Sequence, residues 1–238
     1  MMVADSRAFH PIMPNIRQVD AFGAYTAGVG HALATSSAFP EAWRNRMAFV
    51  AGPTGNLLGG FLTIEEGSGF RSKNAFAIVA SADEWFSPVA AEVGPDGNLW
   101  IADWYNFIIQ HNPTPSRGQG GYDARTGRGN AYVNPNRDRE HGRIFRMIWE
   151  GAPRPRIESL GKAARGEWVE ALGDDNLFWR LTAQRLLVER GIGDELQTLR
   201  KMVVAGEQSA IHALRVLQGV GQLDREIHQA ALLSGNPG

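Results

Sequence analysis

The chain has 238 residues, which is enough for one large domain or two small ones. Its formal net charge of −1 creates no overall field that would favour nucleic acid or an acidic membrane surface. The chain contains no cysteine. This excludes disulfides, thiolate metal ligands, a cysteine nucleophile and covalent attachment of a c-type haem within the chain.

The first part of the chain, up to about residue 155, has the pattern of a β-rich domain. Short apolar stretches alternate there with turn clusters at 52–55, 66–69 and 94–97. Many short strands separated by regular turns are typical of a sandwich, a barrel or a propeller. The predicted strands are 47–51, 56–64, 74–80, 89–93, 98–104 and 142–149.

An internal echo favours the propeller among these three architectures. Trp43, followed by an apolar stretch and the turn 52–55, recurs 42 residues later as Trp85 and the turn 94–97. Periods of about 40–45 residues are what four-stranded propeller blades produce. About 150 residues at this spacing make only three or four blades, whereas closed propellers use about 4–8. We therefore expect the trailing part of a larger propeller.

The stretch 94–106 ends in a group of polar and aromatic side chains. Its Gly-Pro-Asp-Gly start predicts a tight turn. The alternation that follows predicts a strand ending at Asp103, Trp104, Tyr105 and Asn106. One interpretation is a hairpin whose Asp103 and Asn106 cap the next turn. The other places these groups near a ligand, because all-β scaffolds present their sites on the loops that follow strands.

A long glycine-rich segment at 110–136 leads into a charged run. Loops of this length are usually functional or disordered, and we expect disorder in the glycine-rich middle. The run that follows carries Arg137, Arg139, His141 and Arg143 among acidic residues. It is either a solvated series of ion pairs or a basic cluster at the mouth of a pocket. The second interpretation suits an anionic cofactor or substrate, since guanidinium groups bind carboxylates through paired hydrogen bonds.

A Gly-Ala-Pro-Arg-Pro junction at 151–155 marks the predicted domain boundary. Before it, apolar residues alternate with the period of a strand, and after it they recur with the period of a helix. We therefore predict one domain at 1–152 and a second, α-helical domain at 153–238.

The helical domain also contains a repeat. The stretch 181–187 resembles the stretch 211–217, an offset of 30 residues. Paired antiparallel helices recurring at this spacing predict a short α-solenoid of the HEAT type. His212 and His228 fall in these helices, and we interpret them as packing or surface residues rather than as ligands.

The chain resembles the PVC-type membrane-bound dehydrogenases, which are similar to glucose/sorbosone dehydrogenases. Three motifs carry the resemblance: G-P-D-G-N-L-W-I-A-D-W-Y-N at 94–106, R-D-R-E-H-G-R-I-F-R-M at 137–147 and W-R-L-T-A-Q-R-L-L-V-E-R-G at 179–191. In that family of large secreted bacterial proteins, a six-bladed quinoprotein-like propeller is followed by HEAT-type repeats. The resemblance therefore implies the late blades of a partial β-propeller, then a HEAT-like solenoid, in a periplasmic or extracytoplasmic protein.

The resemblance also implies a chemistry, namely oxidation of a sugar or alcohol with pyrroloquinoline quinone (PQQ) and Ca²⁺. On this hypothesis a basic cluster approaches the quinone carboxylates, and the end of the strand 98–104 lines the same face. The implied cofactor-binding residues are Arg137, Arg139, His141, Arg143, Asp103, Tyr105 and Asn106. The early blades that carry the family's catalytic histidine are not matched, so we expect a fragment without a complete active site.

A non-catalytic binding module is the alternative hypothesis. In that case the β-rich part presents loops and the helical repeats present a surface for a protein or glycan partner. Fold alone does not decide between the two hypotheses. No stretch resembles a phosphate-binding loop, a Ser-His-Asp arrangement or a metalloprotease helix, so hydrolase and nucleotide chemistry rank below both. No apolar run approaches the roughly 18 residues of a membrane span, and we expect no transmembrane helix.

Overall fold

The computed structural model describes residues 28–106, 138–153 and 159–234, together with residue 12. Within these ranges seven β-strands precede five α-helices. The chain divides into two compact units. The first comprises Met1–Ala34, Phe39–Val93 and Asn98–Ala152, and the second comprises Thr35–Ala38, Gly94–Gly97 and Pro153–Gly238. The domain division predicted at residue 152 stays a prediction, because the second unit also takes up two short segments from earlier in the chain.

The described part of the first unit opens with a four-stranded antiparallel sheet in which the strands lie in chain order. In its second strand Met47, Phe49 and Ala51 are buried while the residues between them are half-buried, which is the period-two pattern of a strand with one face on a core. The strands are β1 (Val29–Leu33), β2 (Met47–Gly52), β3 (Leu57–Glu66) and β4 (Gly69–Ala80).

A three-stranded antiparallel sheet completes the described part of the first unit. Its strands, again in chain order, are β5 (Pro88–Val93), β6 (Leu99–Asp103) and β7 (Arg143–Met147). Gly30 of β1 lies against β5, since a Cβ there would stand only 2.2 Å from the Cα of Ala90. Both sheets contribute to one buried cluster, which contains Ala34, Phe39, Met47, Phe49, Ala51, Leu58, Ala91, Leu99 and Ile101.

The predicted β-propeller is wrong. The described residues form two small sheets, of four and three strands, and these do not close into a ring of blades. The echo that favoured the propeller corresponds to two hairpins, β2–β3 and β5–β6. The first hairpin occupies the middle of its sheet and the second lies at the start of its sheet, so the two do not hold equivalent positions. The echo therefore reflects shared hairpin chemistry and not a repeated blade.

The described part of the second unit contains five α-helices whose ends match ordinary capping chemistry. Asn176 caps the second helix by accepting from the N–H of Phe178, and Asp224 caps the fifth by accepting from the N–H of Ile227. Gly206 ends the third helix in the left-handed conformation that glycine favours. The helices are α1 (Arg165–Ala171), α2 (Leu177–Arg190), α3 (Leu196–Ala205), α4 (Ala210–Gly219) and α5 (Arg225–Leu232).

The predicted short HEAT-like solenoid is wrong. The described residues form five helices of 7 to 14 residues, and the two similar helices among them are fewer than the three or more repeats that a solenoid needs. The repeated stretches fall in α2 and α4. Ala183 and Leu187 of α2 are fully buried, as are their counterparts Ala213 and Leu217 of α4. The repeat thus marks two helices that present equivalent residues to one core. None of the described helices has the length and apolar character needed to cross a bilayer.

Candidate functional site

Two of the predicted site residues, Asp103 and Arg143, meet where β6 ends and β7 begins. They lie directly opposite each other in the β6–β7 register. The Nε of Arg143 donates to Oδ2 of Asp103 at 2.6 Å, and its Nη1 donates to Oδ2 of Asp83 at 2.7 Å. The Asp103 side chain is fully buried, whereas the Arg143 side chain is 32% exposed. The arginine therefore already has two carboxylate partners within the first unit.

The second oxygen of the Asp103 carboxylate binds the backbone. Its Oδ1 accepts from the N–H of Ser87 at 2.7 Å and from the N–H of Tyr105 at 2.9 Å. A buried carboxylate is tolerated when it is both charge-paired and hydrogen-bonded, and Asp103 meets both conditions. Its contacts tie the segment before β5 to the chain that leaves β6, so Asp103 has a structural role here.

Aromatic rings cover the Arg143 guanidinium. Tyr105 lies with its ring centroid 4.5 Å from the guanidinium carbon, and Trp85 stacks on Tyr105 at 5.2 Å. Partial burial disfavours the cation, but the hydrogen bonds to Asp83 and Asp103 raise the pKa of Arg143 on balance. Tyr105 adopts φ +53°, an uncommon conformation for a residue other than glycine. The cluster holds this strained residue in place.

His141 and Asn106 belong to a second set of contacts around Asp138. The Nδ1 of His141 lies 2.7 Å from Oδ2 of Asp138, whose Oδ1 accepts from the N–H groups of Glu140 and His141. These two backbone bonds, followed by the bond to the His141 ring, lower the pKa of Asp138. The buried Asn106 donates a long hydrogen bond of 3.5 Å to the Asp138 carbonyl. Asp138 thus organises the turn that precedes β7.

The structure brings together most of the residues that the sequence singled out. Asp103, Tyr105 and Arg143 share one cluster, and the His141 ring lies 6.2 Å from that of Tyr105. Arg139 is exposed, and Arg137 lies outside the described residues. Sequence reasoning missed Asp83. Its only signal was that a buried Asp103–Arg143 pair leaves further guanidinium donors in need of an acceptor.

The fit of this cluster to PQQ and Ca²⁺ is poor in the described residues. The Nε and Nη1 of Arg143 donate to carboxylates at ordinary hydrogen-bond distances, and the Nη2, which has no hydrogen-bond partner within the described residues, is buried. Within the same residues there is no group of three or more His, Asp or Glu side chains that could hold a metal ion. Quinone binding at this cluster stays a prediction.

A pocket of about 210 Å³ lies within the second unit. Its walls come from the two short segments of that unit and from the residues that lead into α2. It combines carboxylates, hydroxyls and one indole, and among the described residues no Lys, Arg or His lines it. The lining residues are Ser36, Ser37, Ala38, Pro95, Asp96, Gly97, Pro153, Asp174, Asp175, Asn176 and Trp179.

The start of α2 fixes one side of this pocket. The Nδ2 of Asn176 donates to the carbonyl of Gly94 at 2.9 Å, while its Oδ1 caps the helix. The indole Nε1 of Trp179 donates to the carbonyl of Pro95 at 2.9 Å. Ser36 Oγ, also in the lining, donates to the carbonyl of Gly97 at 2.6 Å. Gly97 has φ +73°, and a Cβ there would lie 2.9 Å from Ser36 Oγ, so the turn depends on glycine.

Asp174 and Asp175 supply the carboxylates on the α2 side. Burial raises the pKa of Asp174, and a hydrogen bond with Asp175 together with that residue's charge raises it further. The Asn176 N–H, which donates to Oδ1 of Asp174 at 2.7 Å, and the charge of Arg180 act in the opposite direction. Asp174 therefore retains its proton to a higher pH than an isolated aspartate would.

Fold and site together define a class, a β-then-α protein that carries an internal ion cluster in one unit and a small acidic pocket in the other. The family follows from comparison with known proteins. Residues 2–150 match the family described as a domain of unknown function, DUF7133, and this match spans more than half of the chain. The chain therefore belongs to the DUF7133 family. No curated protein and no solved structure shows significant similarity to it.

Proposed function

We propose that this chain is a non-catalytic binding module that holds a small hydroxyl-rich ligand, such as a sugar or a sugar alcohol, in the pocket of its second unit. The observation that carries the proposal is the chemistry of the pocket lining. Carboxylates accept hydrogen bonds from ligand hydroxyls, and serine oxygens can accept them as well. The Trp179 indole adds an apolar surface for the C–H groups of a sugar ring.

The size of the pocket supports a ligand of about one ring. Pockets for drug-sized molecules enclose roughly 300–1,000 Å³. The 210 Å³ available here is smaller than that range. A monosaccharide or a linear polyol fits this volume better than an oligosaccharide does, although a longer glycan can insert one terminal residue.

The charge of the pocket disfavours anionic ligands. Asp96, Asp174 and Asp175 line it, and no basic side chain is among the described lining residues, since Arg180 lies behind the wall. Phosphorylated compounds and the polycarboxylate PQQ would meet like charge there. Ser36 is committed to the Gly97 carbonyl and is not activated by a neighbouring base in the described residues, which supports binding without covalent chemistry.

The dehydrogenase hypothesis stays open as a proposal with a separate site and a separate test. It assigns sugar or alcohol oxidation with PQQ and Ca²⁺ to the β-rich unit of an extracytoplasmic protein, on the strength of the resemblance in motifs. The DUF7133 match covers two of the three motifs that carry that resemblance. The absorbance of PQQ can be used to measure whether the chain binds the quinone in the presence of Ca²⁺. Binding would support this hypothesis.

Calorimetric titration of the full chain tests the binding proposal. The probes are glucose, xylose and sorbitol, with inorganic phosphate as an anionic control. We expect saturable binding of at least one polyol, with a dissociation constant on the order of 1 mM, equivalent to about −4 kcal/mol. Phosphate should not bind.

Two variants locate the site. Asp175→Asn should weaken polyol binding about tenfold, because a carboxylate accepts stronger hydrogen bonds than an amide does. Asp194→Asn, which changes an exposed aspartate away from the pocket, should leave the affinity unchanged. Failure of every polyol to bind, or equal affinity in wild type and Asp175→Asn, would refute the proposal.

A further inference from the structure

A buried arginine stands behind the pocket wall. Arg180 of α2 is only 5% exposed. Its Nη1 donates to the backbone carbonyl of Asp174 at 2.6 Å, and its Nε donates to Nε2 of His212 at 3.2 Å. With the Gln208 amide turned so that its oxygen faces the guanidinium, Gln208 accepts from Nη1 at 2.9 Å and from Nη2 at 3.2 Å. Arg180 thus bonds a residue of the pocket wall on one side and an imidazole of α4 on the other.

These bonds require a neutral His212. Its Nε2 accepts from Arg180, so that nitrogen carries no proton, and its Nδ1 donates to Oε1 of Gln184 at 2.9 Å. The ring is 8% exposed. Burial lowers the pKa of His212, and the charge of Arg180 lowers it further.

Protonation of His212 would break this arrangement. The Nε2 would become a donor that faces the Arg180 donor, and two cations would lie about 3 Å apart in a buried site. The easiest relief is movement of the Arg180 guanidinium. That movement gives up its bond to the Asp174 carbonyl, and Asp174 leads directly into the pocket residues Asp175 and Asn176.

We propose that His212 is a positioning residue that couples the pocket to proton concentration: protonation of His212 releases Arg180 from the Asp174 carbonyl, and the pocket wall shifts. Together with the proposed polyol-binding function, on which this part rests, the coupling predicts weaker ligand binding in mildly acidic solution. Affinity should fall by up to about tenfold per pH unit below the midpoint, the limit for release of the ligand with uptake of one proton.

The effect of His212 protonation must be distinguished from the effects of the other charged groups around this contact. Arg180 is the charged group that acts on His212, and Asp174 and Asp175 act in turn on Arg180. The facing side chains of Gln184 and Gln208 are neutral. Asp174 titrates as well, and its protonation would also change the pocket. A variant that removes only the His212 titration therefore distinguishes the two sources.

The test follows the Trp179 indole N–H by ¹H–¹⁵N NMR of the full chain between pH 7.5 and 5.0. This N–H donates to the Pro95 carbonyl in the pocket wall, and Trp179→Phe identifies its signal. In wild type we expect the signal to shift with the same midpoint as the His212 ring, below the ordinary histidine pKa of about 6.5. His212→Gln, whose amide oxygen can accept from Arg180 without titrating, should lose this step. His228→Gln, a change at an exposed histidine of α5, should retain it.

Two results would overturn the coupling. One is a Trp179 shift that survives in His212→Gln, which would assign the titration to Asp174 or another group. The other is a wild-type His212 that titrates while the Trp179 signal stays still, a measurement that does not depend on any variant folding. Because neither readout uses a ligand, failure of polyol binding refutes the proposed function and leaves this test decisive.

Discussion

Replacing Asp103 with asparagine tests whether the ion cluster of the first unit holds the fold together. Asparagine has nearly the same shape and keeps one oxygen for the N–H groups of Ser87 and Tyr105. Its amide nitrogen would face the Nε of Arg143, so that two donors meet where an ion pair stood. The change leaves the Arg143 cation with only Asp83, whose side chain is 40% exposed.

The expected cost follows from burial. Removing one partner of a buried ion pair costs about 3–5 kcal/mol, chiefly because the other charge remains without compensation. Asp103 is fully buried, but Arg143 is 32% exposed and keeps Asp83, which places the expected loss near the lower limit. We therefore predict that Asp103→Asn lowers the free energy of unfolding by about 3 kcal/mol.

Urea unfolding, followed by tryptophan fluorescence and by circular dichroism, measures this loss. Fluorescence reports on all seven tryptophans, five of which, including Trp85 stacked on Tyr105 in the cluster, lie in the first unit. Circular dichroism is dominated by the helices. With a slope of about 2 kcal/mol per molar urea, the fluorescence midpoint should fall by about 1.5 M. Asp194→Asn, an exposed change in the helical unit, is the control and should leave the midpoint unchanged.

A double variant sharpens the result. Because Asp103→Asn leaves an uncompensated Arg143, the additional change Arg143→Met should recover part of the lost stability. A loss below about 1 kcal/mol in Asp103→Asn with an unchanged slope would refute the structural role assigned to the cluster. An additive double variant would show that the two side chains do not act as a pair.

Three further predictions concern the stability of the second unit. Asn176→Ala removes both the cap of α2 and the bond to Gly94, so we expect it to cost about 1–2 kcal/mol in urea unfolding, and a neutral effect would contradict this. Gly97→Ala should cost about 1–3 kcal/mol, since it adds a Cβ at φ +73° and 2.9 Å from Ser36 Oγ; equal thermal midpoints for wild type and variant would argue against the strain. Because the folded pKa of His212 lies below its unfolded value, the unfolded state binds more protons, and stability should be full above about pH 6.5 and decline as the pH falls below it. Urea midpoints from pH 7.5 to 5.0 should show this slope in wild type and a reduced slope in His212→Gln.

Local structure was largely predictable because it depends on nearest neighbours in the sequence. The predicted strand 47–51 is β2 (Met47–Gly52), and the predicted strand 98–104 contains β6 (Leu99–Asp103). β1 was missed. Its sequence Val-Gly-His-Ala-Leu includes Gly30 at φ +57°, and the register shifts there, which hides the alternation.

The arrangement of the strands was not predictable from the same signals. A repeated hairpin sequence indicates two turns of similar residue composition. It does not indicate which sheet each hairpin belongs to. β2–β3 has a partner strand on each side, whereas β5 begins its own sheet. Predicting a propeller from the 42-residue echo requires this long-range information, which the sequence does not contain. The propeller prediction was wrong for that reason. The HEAT-type prediction made the same step from two similar helices.

The two sites differ in how much of them the sequence could reveal. Asp103 and Arg143 stood at the ends of predicted strands, so their proximity was foreseeable, but the sequence did not show that Asp83 would be the second carboxylate partner of Arg143.

The pocket of the second unit could not be predicted from the sequence. Its walls come from residues around 36, 95 and 175, which are about 60 and 80 positions apart, and no short motif joins them. Yet each wall depends on a recognisable local device: a serine bound to a carbonyl, a glycine turn, and a helix cap that also bonds a distant loop. Each of these local features, taken alone, indicates only a stabilising interaction. A binding site results only because the fold brings them together around one cavity. Because Asn176 lies outside the residues that match DUF7133, its helix cap and its bond to Gly94 are recognisable only in the folded structure and not from a linear motif of that family.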